Sequence, residues 1–175
     1  MTTGTFSGEE FADQWFTTRK VSFMGGGSWT QWLQMWVRGK LGEAILYDPD
    51  DPIVGFNQSL SVDLGIQPTR FLRLAPQVAW ERFLDGQTEV YEGTVSRLKV
   101  EAFATPKLWA RVIQDVSSFN GRNSTEVLGA WEQSPGRALY IGGHTVVERG
   151  PEDEPVQSPE REWTVFTKMS WVFDG

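Results

Sequence analysis

Residues 137–149, Arg-Ala-Leu-Tyr-Ile-Gly-Gly-His-Thr-Val-Val-Glu-Arg, and residues 162–173, Glu-Trp-Thr-Val-Phe-Thr-Lys-Met-Ser-Trp-Val-Phe, read as the two strands of a terminal hairpin. The segment between them, 150–160, is Gly-Pro-Glu-Asp-Glu-Pro-Val-Gln-Ser-Pro-Glu, acidic, proline-rich and without an apolar pattern. In the second strand Trp163, Val165, Met169, Trp171 and Phe173 fall on one parity, the spacing of a half-buried strand. That face is expected to be core scaffold, and the acidic loop an exposed element available to a neighbour.

Working outward, Asp85-Gly86 separates two alternating runs, 70–84 and 88–100, and predicts a hairpin turn. Residues 29–38 carry Trp29, Leu33, Met35 and Val37 on one parity and Trp32 and Trp36 on the other, which predicts a strand apolar on both faces. Gly25-Gly26-Gly27 reads as a break, 39–43 as a turn and 53–68 as irregular structure with short strands. Near the start, Ser7 and Glu10 suit a capping box for a short helix over 8–18, a reading that competes with a strand over 14–23. Residues 1–8 are polar and are expected to form a flexible arm.

The strongest helical pattern lies at 105–117. Thr105 is placed as N-cap, and Pro106 stands at the first helical position, where its missing N–H is harmless. Leu108, Trp109, Val112, Ile113 and Val116 form a stripe at helical spacing, and Gly121 follows the end. The expected fold is therefore mainly β, a largely antiparallel β-sandwich or β-barrel, with one amphipathic helix over about 105–117 packed on the sheet. A length of 175 residues suits a single domain.

The formal net charge is −7, and no Lys/Arg run exceeds Arg19-Lys20, so sequence-specific nucleic-acid binding is not expected. The chain has no cysteine, which excludes disulfides, thiolate metal sites and cysteine nucleophiles. No run approaches the roughly 20 apolar residues of a membrane-spanning helix, and no membrane partner is expected.

Chemistry-bearing patterns are sparse. His144 is the single histidine, so one chain cannot build a multi-histidine metal site, and with no nucleophile elbow beside it His144 reads as a structural or surface residue. Asp48, Asp50 and Asp51 lack the spacing, central glycine and terminal glutamate of a calcium loop, and two prolines make this a rigid turn. Gly25-Gly26-Gly27-Ser28 has no lysine after it and is no phosphate loop. Neither catalytic residues nor a cofactor or metal site are expected, and the protein is not expected to be an enzyme. Nine tryptophans remain to be explained by core packing, subunit contact or ligand stacking.

From about residue 71 to 173 the order of parts resembles small virion structural proteins of tailed bacteriophages. The carriers are the polar strand 89–100, the Pro-started segment 105–116, Ser117-Ser118-Phe119-Asn120-Gly121, the strand with Leu139-Tyr140-Ile141-Gly142-Gly143, and the Trp163-led close. The resemblance implies a tail-tube, tail-terminator or neck subunit, a homo-oligomer joined with other virion proteins into a ring or tube through which DNA passes. Its location would be the virion, assembled in the host cytoplasm. Expected intersubunit contacts are Trp29, Trp32 and Trp36, with Glu152, Asp153 and Glu154 of the acidic loop. The alternative is a calycin-like small-ligand-binding β-barrel, a pigment chaperone or lyase, supported by Gln14-Trp15-Phe16-Thr17-Thr18-Arg19 ahead of aromatic-rich strands.

Overall fold

The computed structural model describes residues 1–11, 14–47, 52–134, 137–148 and 160–171. Ten strands follow one another along the chain: β1 (Thr2–Phe11), β2 (Gln14–Ser28), β3 (Leu33–Leu46), β4 (Ile53–Thr69), β5 (Leu72–Asp85), β6 (Thr88–Thr105), β7 (Leu108–Ser117), β8 (Arg122–Ser134), β9 (Arg137–Glu148) and β10 (Glu160–Ser170). Each pairs antiparallel with the next, so spatial order equals sequence order in one open meander. Such a sheet needs only short hairpin connections, which is why no crossover helix is required. Among the described residues nothing pairs β1 with β10.

The expected mainly antiparallel β class is observed; the packed helix is not. Pro106 and Lys107 form the turn between β6 and β7, and 108–117 is a strand. Here the two periodicities coincide in the sequence. Leu108, Val112 and Val116 are four apart, but they are equally two steps of two on one strand face. Three β-branched residues, Val112, Ile113 and Val116, favour the extended form. The hydroxyl of Thr105 still does what an N-cap does: its Oγ1 accepts from the amides of Lys107 (3.2 Å) and Leu108 (3.0 Å). It caps a hairpin turn instead of a helix.

The strand option near the start also prevails, since β1 and β2 pair from Thr2↔Phe23 to Phe11↔Gln14. Residues 2–8, expected as an arm, belong to β1. The triple glycine is the distal end of β2, 39–43 lies inside β3, and 53–68 lies within the 17-residue strand β4. In each case a local turn signal is overridden by pairing with a neighbouring strand, β3 alone for Gly25 to Gly27 and strands on both sides for most of 39–43 and of 56–66. The Asp85-Gly86 turn is found where expected, with Gly86 at a φ of 59°. The terminal hairpin is likewise found, with Trp163 opposite Thr145 and Met169 opposite Leu139.

Register assigns every side chain to one of two faces. Arg97 lies beside Gln77 and Asp115, and His144 beside Glu126, on one face. Residues of β3 through β9 on that face line a common cavity, so the sheet curls with this face concave. Phe83, Ala130 and Val146, three of the four buried apolar side chains among the described residues, are also concave. The convex face holds Leu60, Val78, Leu98, Val112, Val127 and Ile141, all exposed. Trp163, expected as core, is 74% exposed and Val165 75%. A single curled layer leaves no second sheet to cover them.

Candidate functional site

The concave trough brings charged groups and a cavity together. Its larger cavity measures about 700 Å³. It is lined by Arg38 and Asp63 from β3 and β4, Arg97 and Asp115 from β6 and β7, and Arg122 and His144 from β8 and β9. Toward the 70–71 turn a smaller cavity of about 300 Å³ is lined by Trp32, Gln34, Arg73, Lys99 and Glu101, among others.

Cross-strand register produces the ion pairs. Arg97 donates from Nε to Asp115 Oδ1 (2.6 Å) and from Nη2 to Oδ2 (2.9 Å), a two-point contact that matches the guanidinium fork to a carboxylate. This bond holds the Asp115 carboxyl below the ordinary carboxylate value; burial pushes the other way, while Arg97, Arg122 and His144 add attraction. Arg111 Nη2 donates to Glu126 Oε1 at 2.6 Å across β7 and β8. Arg38 Nη1 stands 3.3 Å from Asp63 Oδ2, and Arg122 Nε 3.7 Å from Glu148 Oε1.

One end of the trough is filled by aromatic rings. Phe83, 1% exposed, stacks on Tyr91 at 5.7 Å, and Phe119 meets Tyr91 edge-on at 6.0 Å. The rings of Phe83 and Phe119 lie over Gly55 and Gly93, where a Cβ would collide with them. Tyr91 Oη (3.1 Å) and Asn57 Nδ2 (2.6 Å) both donate to Glu81 Oε1, so this half-buried carboxylate is satisfied. Burial, then the Glu81 bond, raises the Tyr91 pKa above the ordinary phenol value.

The convex face has the opposite character. Its charged residues Glu10, Arg19, Glu43, Arg82, Glu89, Glu92 and Arg161 lie toward the rim where β1 joins β2, β3 joins β4, β5 joins β6 and β9 joins β10, and Arg137, over the Trp171 ring, lies at the opposite rim. At the first rim Arg82 Nη2 meets Glu89 Oε2 at 2.8 Å, and Trp80 Nε1 donates to Glu92 Oε1 at 2.8 Å. Between the two rims the convex face is apolar or uncharged.

Of the expected contact residues, Trp29 and Trp32 sit in the bend between β2 and β3, and Trp36 in β3 opposite Asp63; all three are exposed. Glu152, Asp153 and Glu154, like most of the 150–160 loop, lie outside the described residues. Sequence reading had no means of finding the trough. Its members are dispersed over seven strands, and no spacing rule links Arg38 to His144. Among the described residues no cluster of His, Cys, Asp and Glu is arranged to hold a metal ion, and no helix is long and apolar enough to cross a membrane.

Comparison of the chain with protein-family models, with curated proteins and with solved structures finds no match in any of the three.

Proposed function

We propose that this protein is a membrane-seated β-barrel wall whose convex face contacts lipid and whose concave face lines a polar interior. The observation that carries the reading is the segregation of the two faces. Along successive strands apolar residues point outward and charged pairs point inward, the dyad pattern of strands that cross a bilayer. A solvated outer face would scatter charge over its whole height; here, among the described residues, it is confined to the two rims, most of it at one and Arg137 at the other. The absence of a long apolar helix does not bear on spanning by strands. The expectation of no membrane partner rested on helical spans alone.

In hydrocarbon an open strand edge is not tolerated. The reading therefore requires the free edges of β1 and β10 to be paired, either with each other or with a second copy. With ten strands in one meander, β1 and β10 run in opposite directions, so antiparallel closure needs no rearrangement of the order.

The test is vesicle flotation of the full chain, combined with quenching of tryptophan by bilayer-embedded brominated lipid. Co-flotation with quenching of convex Trp131 and Trp163 is expected. A chain that is monodisperse without detergent and stays with the soluble fraction sinks the reading.

The second reading, the virion tail or neck subunit of the resemblance, is supported by the same two edges. A ring of copies would cover β1 and β10, and a neighbouring subunit would cover the apolar convex face. Rings in negative-stain images of the protein kept free of detergent would favour it over the bilayer.

A further inference from the structure

The lining of the larger cavity holds one more cation than anion, with Glu148 beside Arg122 and Glu126 opposite His144 at its border. The protein has a net charge of −7, yet its larger cavity is lined by three arginines against two aspartates. The adjoining cavity adds Arg73 and Lys99 against Glu101.

The three guanidinium groups are not equivalent. Arg97 is committed at two points to Asp115 and belongs to the wall. Arg38 meets Asp63 through one atom pair at 3.3 Å without hydrogen-bond geometry, and its side chain is 57% exposed. Arg122 meets Glu148 through one atom pair at 3.7 Å, with its side chain 50% exposed. A guanidinium has five N–H donors, so each of these two keeps most of them for a ligand. Arg38 on β3 and Arg122 on β8 border the same cavity, with His144 of β9 on the same wall.

We propose that the trough binds a small organic anion bearing at least two negative charges on phosphate or carboxylate groups, held between Arg38 and Arg122 with the His144 imidazole as a further polar contact. Planar, bidentate donors suit both oxyanion types. A cavity of about 700 Å³ is in the range that accommodates a small metabolite. Because the wall is charged, the ligand class differs from the planar apolar pigment of a calycin-like barrel. The inference stands apart from the bilayer reading, since it needs only the curled sheet.

The experiment is isothermal titration of the full chain with inorganic pyrophosphate and, separately, with citrate, each against sodium chloride of matched ionic strength. Saturable binding of one or both is expected, the stronger arm identifying the preferred oxyanion. R38Q and R122Q should each weaken it by about tenfold or more, the loss of a charged hydrogen-bond partner. R122K, which keeps the charge but loses the fork, should fall between. R161Q, on the convex rim, should bind as the parent does. Circular dichroism checks each fold; should R38Q not fold, the graded loss from parent to R122K to R122Q decides. Binding no stronger than the salt control overturns the proposal, as does equal loss in R161Q or full retention in R122Q.

Discussion

Arg97 and Asp115 face each other across β6 and β7 in a two-point ion pair, with heavy-atom distances of 2.6 and 2.9 Å. It ties the centre of the sheet together on its concave side. Because the folded pKa of Asp115 is depressed, its contribution is present above the unfolded value and is lost as pH falls through the lowered folded value. Both side chains retain solvent contact, which limits the coupling to about 0.5–1 kcal/mol. A double-mutant cycle of R97Q and D115N by urea unfolding at neutral pH should give that value, and it should vanish in strong acid.

Phe83 is the most buried large side chain among the described residues, seated over Gly55 and stacked on Tyr91. Phe83→Ala should cost about 3 kcal/mol in chemical denaturation. Gly55→Ala should be destabilising as well, because the new methyl would meet the Phe83 ring and the Leu84 carbonyl.

Thr105→Val removes the acceptor of two turn amides while preserving shape. A loss of about 1 kcal/mol is expected from the same denaturation measurement. The far-UV spectrum of both proteins should show a β minimum and no helical doublet.

Val127 on β8 is exposed on the convex face, and Ser124 on the same strand lines the trough. If the convex face meets lipid, Val127→Lys should cost about 2–4 kcal/mol in vesicle-folded protein at mid-depth. Ser124→Lys should cost much less. Equal effects of the two substitutions would count against lipid contact.

Tyr91 has a raised pKa, so the folded state holds its proton more tightly than the unfolded chain does. Its contribution is complete below the unfolded value of about 10 and is lost as pH rises through the folded value. Tyr91→Phe should remove the late part of the phenolate absorbance titration and flatten the alkaline loss of stability.

The terminal hairpin and the Asp85-Gly86 turn were legible because alternation and turn chemistry agree there over consecutive residues. The 105–117 segment was not, since apolar residues four apart satisfy both periods and a turn-capping threonine looks the same as a helix N-cap. Gly25 to Gly27, 39–43 and 53–68 carry turn-like composition within long strands, where pairing with neighbouring strands outweighs local preference. The trough's ion pairs join residues such as Arg38 and Asp63 whose separation in sequence carries no signal.

By itself the sequence determined the strand alternation, the two firm hairpins, the acidic total charge and the lack of cysteine chemistry. Tertiary structure alone decided which parity faces inward. A strand's period of two distributes side chains between faces without naming either one as the core. Only the curl of the ten-stranded sheet brings Arg38, Arg97, Arg122 and His144 around one cavity and turns Trp163, Val165 and Met169 outward.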